Sequence, residues 1–305
     1  MRAGGDDFRA AVLRGLAHRP RRLPCRFLYD EAGSALFDSI CDLPEYPLTR
    51  AELGLLARCG PDIAARMGPG RVVVDLGAGS MRKTRLLLAA LDRPAAYVPV
   101  DVAAGPLADH AARLAGDFPG LPVVPVVADF TRRLPLPRQL GGPVLSFFPG
   151  STIGNLGRPQ AVGLLKRLAA LGGAALVGVD LVKPAGVLQA AYDDAQGVTA
   201  AFTLNLLHRL RRELGAEVDP AAFAHRARWR PAHQRIEISL VARRSTRLAL
   251  DGRSFAFKAG EAIHVEDCHK YTPEGFAALA GAAGLRPEAV WVDEARRYSL
   301  HLLGH

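Results

Sequence analysis

The 305-residue chain is 49% hydrophobic and 23% charged, an ordinary globular balance that leaves room for one large domain or two modest ones. No apolar run approaches the roughly 18 residues that cross a bilayer, so no membrane partner is expected. The net charge of +9 comes mostly from arginines scattered in pairs such as Arg21-Arg22 and Arg243-Arg244. No long basic tract is interleaved with aromatics, which predicts no nucleic-acid partner.

The first ten residues, Met1 to Ala10, hold two adjacent acids and no apolar core, so no secretory signal is expected there. The four cysteines, Cys25, Cys41, Cys59 and Cys268, form no C-x-x-C pair and no cluster with histidines. That pattern predicts neither a disulfide framework nor a metal site, and a cytoplasmic setting.

Short β-branched runs alternate with helical segments between residues 71 and 182. Arg71 to Leu76 is a continuous apolar run closed by glycines, as suits a strand buried on both faces. Thr84 to Leu91 reads as a helix, Tyr97 to Asp101 as a strand, Leu107 to Phe118 as a helix and Val123 to Val127 as a third strand. Pro143 to Phe148, Pro159 to Leu171 and Ala174 to Leu181 give strand, helix and strand. This α/β alternation predicts a parallel, doubly wound Rossmann-like sheet. After Lys183-Pro184 the pattern changes. Leu188 to Leu214 reads as one or two helices, followed by strands at Arg235 to Val241, Ser245 to Leu250 and Ser254 to Lys258, with Asp251-Gly252 as a hairpin turn. Beyond Tyr271 come a helix (Pro273 to Ala283) and two strands (Ala289 to Asp293, Tyr298 to Leu303). A discontinuous division follows: residues 51–182 and 271–305 form the nucleotide-binding domain, 1–50 and 183–270 a second, substrate domain.

The segment Asp75-Leu76-Gly77-Ala78-Gly79-Ser80 joins the first strand to its helix. Gly77 and Gly79 permit a tight turn and close backbone approach to a ligand. A dinucleotide fingerprint would need a third glycine where Arg82 stands, which disfavours NAD or FAD and suits S-adenosylmethionine, a nucleoside without a pyrophosphate. Asp101 ends the second strand where an acid reaches ribose hydroxyls. Asp129-Phe130, after the third strand, offers an acid beside an aromatic face for an adenine. All lie at the carboxyl ends of strands, where such sheets bind ligands.

Phe27-Leu28-Tyr29-Asp30-Glu31-Ala32-Gly33-Ser34 and Leu43-Pro44-Glu45-Tyr46-Pro47-Leu48-Thr49-Arg50-Ala51-Glu52 closely resemble the N-terminal signature of the histidine-specific methyltransferase family. Phe148-Pro149-Gly150-Ser151-Thr152-Ile153-Gly154-Asn155, Ala191-Tyr192-Asp193-Asp194 and Ile263-His264-Val265-Glu266-Asp267-Cys268-His269-Lys270-Tyr271 are similar to three more of its motifs. The resemblance spans nearly the whole chain in order. It implies a class I methyltransferase sheet, S-adenosyl-L-methionine as cofactor with no metal, and Nα-methylation of free L-histidine to its trimethylated betaine, hercynine, as in ergothioneine biosynthesis. A monomeric enzyme with a small-molecule amino acid as its only partner is expected. Residue by residue, the resemblance implies that Tyr29, Gly77, Lys83, Asp101, Asp129 and Phe130 contact the cofactor, beside Gly79 of the same turn. Tyr46, Gly150, Asn155 and Tyr192 would hold the amino acid's backbone groups, with Asn155 and Tyr46 at the reacting amine and Tyr192 at the carboxylate. Glu266 and Cys268 would read the imidazole, with Ile238 lining the ring pocket. The family's usual serine is Cys268 here, its frequent methionine is Ile238, and a second tyrosine after Tyr46 is replaced by Pro47. These departures leave a tryptophan or indole derivative as the alternative substrate.

Overall fold

The computed structural model describes residues 3–132, 134–136 and 141–304. Met1 and Arg2, the start of the segment read as lacking a signal, lie outside them. The chain folds into two compact units. One comprises Met1–Tyr46 and Pro184–Cys268, the other Pro47–Lys183 and His269–His305.

The first segment carries α1 (Ala3–Ala17), β1 (Arg21–Arg22) and α2 (Glu31–Asp42). Asp30 caps α2, its Oδ1 accepting the Gly33 amide at 2.8 Å. The long central segment then runs α3 (Leu48–Met67), β2 (Val72–Leu76), α4 (Arg82–Ala90), β3 (Ala96–Asp101) and α5 (Ala104–Asp117). It continues through β4 (Val126–Val127), β5 (Val144–Phe148), α6 (Arg158–Ala169) and β6 (Ala174–Asp180). Two helices follow, α7 (Ala185–Tyr192) and α8 (Val198–Leu214). Asp194 separates them by accepting the amides of Val198 and Thr199 at 2.9 and 2.8 Å, a carboxylate cap at the start of α8. Next come β7 (Phe223–Arg230), β8 (Arg235–Ala242), β9 (Thr246–Leu250), β10 (Arg253–Phe257) and β11 (Ala262–His269). The chain closes with α9 (Pro273–Gly281), β12 (Arg286–Val292) and β13 (Tyr298–Gly304).

In the unit built on the central segment, seven strands lie in the order β12-β13-β6-β5-β2-β3-β4. Strands β2 to β6 pair in parallel, and β13 runs antiparallel to both β6 and β12. This is a doubly wound sheet closed by an antiparallel hairpin. Every residue of β2 is buried, as the apolar run requires. Val72, Val74, Val98, Val100, Val177 and Val179 form one layer with Leu164 and Leu168 of α6 and Phe276 and Leu279 of α9. Each such side chain contributes about 1.5–3 kcal/mol on burial. The third strand is shorter than its Val123-to-Val127 run suggests. Val123 makes only a bridge to Tyr97, and the ladder resumes at Val126. Pro122 and Pro125 have no N–H to donate, which limits the pairing.

In the other unit, β1-β11-β8-β7 form a four-stranded sheet, with β1 parallel to β11 and β7 antiparallel to β8. Strands β9 and β10 make the expected hairpin. Asp251 and Gly252 both adopt positive φ, 50° and 71°, as a tight hairpin turn demands. Strand β7, with its four arginine and histidine positions between apolar ones, is an element that alternation alone did not single out.

Candidate functional site

The predicted cofactor residues of the second unit assemble at the carboxyl ends of β2 and β3. Gly77 (φ 72°) and Gly79 (φ 51°) take left-handed conformations that suit glycine. Gly77 donates its amide to the Val100 carbonyl at 2.8 Å, stitching the turn to β3. The Asp101 carboxylate accepts the Gly79 amide at 3.2 Å and the Ala103 amide at 3.0 Å. A Cβ placed on Gly77 would stand 3.6 Å from the ring edge of Phe130, so the bare glycine lies directly against that ring. Phe130 is itself held edge-on by Phe148, with centroids 5.3 Å apart. The nearby Asp129 spends one oxygen on its own loop, accepting the Thr131 amide at 2.9 Å.

Beneath the turn, the buried Asp75 carboxylate accepts hydroxyls from Thr84 at 2.5 Å and Tyr97 at 2.8 Å. Burial pushes its pKa up to about 6 despite those bonds. Lys83, in the first turn of α4, pairs with Glu52 at 2.6 Å, and Glu52 is fully buried. Glu52 also accepts the Gly150 amide, at 3.0 Å to each oxygen. Gly150 (φ 76°) and Ser151 (φ 56°) are consecutive left-handed residues. They lead into a short 3-10 turn, Thr152–Asn155, that ends on the half-buried Asn155.

The first unit gathers a second group. The rings of Tyr46 and Tyr192 meet edge-on, centroids 5.9 Å apart. Glu266 and Cys268 are buried on β11, and Ile238 is buried on the adjacent β8. The Tyr29 phenol lies within electrostatic reach of Glu266, Tyr46, Cys25 and Cys268. Burial first, and then the Glu266 charge, raise its pKa well above the usual value, so it stays a donor. Tyr29 is also wedged between Phe37 and Phe202, at 5.6 and 5.4 Å. The predicted residues therefore fall in two sets. Tyr29, Tyr46, Tyr192, Ile238, Glu266 and Cys268 belong to the first unit, while Gly77, Gly79, Lys83, Asp101, Asp129, Phe130, Gly150 and Asn155 belong to the second. Tyr29, expected with the cofactor group, lies in the first unit within electrostatic reach of Glu266 and Cys268.

Residues 8–305 match the model of the histidine-specific, S-adenosylmethionine-dependent methyltransferases. The chain belongs to that family. It is a methyltransferase that uses S-adenosylmethionine. It is 39% identical over 308 residues to the histidine N-alpha-methyltransferase of Mycolicibacterium smegmatis, covering 98% of this chain and 95% of that one. The corresponding enzyme of Mycobacterium tuberculosis is 40% identical over 309 residues, with the same coverage of 98% and 95%. In fold alone, it resembles a possible exported protein of Bordetella parapertussis, with a TM-score of 0.50 and 15% identity, over 96% of this chain and 85% of that one. The seven-stranded sheet is the class I methyltransferase sheet.

A histidine-specific methyltransferase must accommodate a nucleoside sulfonium, and the glycine turn fits one. Its left-handed glycines leave the backbone bare, Asp101 retains acceptor capacity beyond its two amides, and Phe130 supplies an aromatic surface over Gly77. No group of three or more metal-ligating side chains occurs among the described residues, and no helix among them is long and apolar enough to cross a membrane.

Three supporting residues escaped sequence reasoning. Glu52 lies within a recognised motif but carries no outward sign of burial. His225 on β7 holds the Tyr192 carbonyl at 2.8 Å through Nε2 and the Thr203 hydroxyl at 3.0 Å through Nδ1. Burial lowers its pKa, so the ring is neutral, with Nε2–H donating to the carbonyl and Nδ1 accepting from Thr203. His110 on α5 bonds the Gly79 carbonyl at 2.8 Å. Only the spatial neighbours of these side chains distinguish them.

Proposed function

We propose that this chain methylates the α-amino nitrogen of free L-histidine, repeatedly, to yield the trimethylated betaine hercynine as in ergothioneine biosynthesis. The observation that carries the reading is the pairing of Tyr46 with Tyr192 in the unit that also buries Glu266 and Cys268. Two phenols serve a zwitterion without adding net charge, and a buried carboxylate suits a ring N–H.

In this reading the Tyr192 hydroxyl donates to the substrate carboxylate, and His225 fixes the Tyr192 backbone behind it. Glu266 accepts a hydrogen bond from the imidazole N–H, and the Tyr29 phenol, kept protonated by burial, remains a donor for the cofactor. Cys268 fills the position beside Glu266 as a small, weakly bonding side chain. Asn155 orients the neutral amine so that its lone pair lies in line with the methyl, and the amine's proton passes to water. The Tyr46 ring favours the quaternary cation that accumulates. Bound S-adenosylmethionine supplies an electrophilic methyl on a sulfonium. Gly77 and Gly79 would take the amino-acid side of that cofactor, Asp101 its ribose hydroxyls, Asp129 and Phe130 its adenine, and Lys83 its carboxylate. Positioning supplies most of the acceleration, since an aligned pair avoids the entropy of encounter.

Ile238 on β8 and Cys268 on β11, both buried in the sheet that carries Glu266, are together more apolar than a methionine–serine pair. They favour an indole substrate as the second reading. The reaction is tested by offering L-histidine, Nα-acetylhistidine and histamine separately. Methylation of histidine with Nα-acetylhistidine inert supports the α-nitrogen as the acceptor. Equal methylation of Nα-acetylhistidine would place the methyl on the ring and refute it.

A further inference from the structure

We propose that Glu52 is a positioning residue for methyl transfer, which ties the cofactor-side Lys83 to the loop that presents Asn155. The inference rests on the reading of this site given above. Glu52 sits near the start of α3, away from both glycine turns in sequence, and is fully buried. One carboxylate carries two loads: the Lys83 ammonium at 2.6 Å and the Gly150 amide at 3.0 Å.

The sheet is hollowed to admit it. A Cβ on Gly178 of β6 would stand 2.3 Å from Glu52 Oε1 and 2.3 Å from the Tyr298 hydroxyl, so only glycine leaves room for both. A buried ion pair is a poor device for stability alone, because an apolar pair of the same volume avoids the desolvation cost. Its use here is explained by what the partners do. Lys83 keeps about a fifth of its side chain exposed and has three N–H donors, of which Glu52 takes one. The others are available to an anion at the start of α4, where the helix dipole also favours negative charge. Without Glu52 the ammonium would lose its anchor and change its direction.

The second load acts on the substrate side. Gly150 and Ser151 are both left-handed, and Ser151 has a Cβ, so this turn is costly and needs external support. Glu52 holds the Gly150 amide, and the Ser151 hydroxyl accepts the Asp180 amide at 2.8 Å. A Cβ on Gly154 would stand 2.7 Å from the His269 carbonyl, so the loop is also packed tightly at its far end. The loop has little freedom, and Asn155 is delivered at its close.

The test compares Glu52→Gln, which keeps an acceptor for Gly150 but removes the charge, with Lys83→Met and the double variant. Expected for Glu52→Gln is a folded protein whose KM for S-adenosylmethionine rises roughly tenfold or more. The histidine KM should move far less. Because Glu52 acts through Lys83, the double variant should weaken cofactor binding no more than Lys83→Met alone. Unchanged cofactor KM in folded Glu52→Gln, or effects that multiply in the double variant, overturns the inference. Should Glu52→Gln fail to fold, Glu52→Asp retains the charge but withdraws it by one methylene. Its cofactor KM should rise in the same direction, and an unchanged value is equally fatal. Titration with S-adenosylhomocysteine, read by calorimetry, needs no amino acid. Wild type that binds it yet methylates no amino acid removes the functional reading and leaves Glu52 testable by affinity. Wild type active on histidine with Glu52→Gln unaltered removes the Glu52 inference alone.

Discussion

Tyr46 and Tyr192 meet edge to face, with ring centroids 5.9 Å apart and planes at 78°, each less than a tenth exposed. Such a pair is worth about 0.5–1.5 kcal/mol beyond its buried area. Each ring thereby fixes the other's orientation, and His225 fixes the backbone of one of them. Two phenols with so little freedom are suited to grip a small zwitterion.

Tyr192→Phe keeps the ring pair and removes one donor. The histidine KM should rise about tenfold, the worth of one hydrogen bond to a charged group, while kcat falls less. Tyr192→Ala should cost more in both, because Tyr46 loses its partner. Steady-state kinetics with histidine varied checks this, and a Tyr192→Phe enzyme with unaltered KM would show that the carboxylate is held elsewhere.

Glu266→Ala should raise the histidine KM by an order of magnitude or more, about 1.4 kcal/mol or above. Cys268→Ser restores a hydroxyl beside the carboxylate and should lower that KM severalfold, since a hydroxyl is the stronger hydrogen-bonding group. Opposite signs from neighbouring positions are the signature sought. Equal kinetics for both variants and wild type would remove these two residues from the ring pocket.

Asp101 accepts two amides of the glycine turn and its neighbour. Asp101→Ala should therefore both loosen the turn and delete the acceptor proposed for the ribose, weakening S-adenosylhomocysteine binding by about tenfold or more in calorimetry. Retained affinity would place the ribose away from β3.

Two buried groups make the stability of the second unit depend on pH in opposite directions. Burial pushes His301 down to about 4, so its neutral form is what folds. The stability it contributes is complete above the unfolded value near 6.5 and is lost as pH falls through about 4, on the order of 3 kcal/mol in all. Asp75, raised to about 6 from near 3.8, contributes stability that is present at low pH and lost as pH rises through about 6. Relative to wild type, His301→Gln should thus abolish a loss of stability on acidification, and Asp75→Asn a loss on alkalinisation. Denaturant midpoints of the three proteins at several pH values between about 4 and 7 check this, and differences of the same sign for both variants contradict it.

The sheet was readable because its strands are short β-branched runs ended by glycine or acid. Val72 to Leu76 and the Gly77–Gly79 turn declare a buried strand and a tight turn in a few residues. The recognised motifs then named Tyr46, Tyr192 and Glu266 without saying that two of them touch. The shortening of the third strand was written in Pro122 and Pro125, whose missing donors outweigh the valines beside them. Glu52 and His225 were not readable. Each sits in a helix or strand pattern that a solvated acid or surface histidine would fit equally well, and only partners distant in sequence give them a role. Tyr29 sits in a motif that associates it with the cofactor, while its packing between Phe37 and Phe202 rests on partners that local sequence does not encode.

The central claim is tested most directly by supplying the purified enzyme with methyl-labelled S-adenosylmethionine and each free amino acid in turn, and weighing the products by mass spectrometry. The account predicts label on L-histidine, accumulating to three methyl groups on the α-nitrogen, with other amino acids at background. Label on tryptophan with histidine inert, or on no amino acid at all, would contradict it.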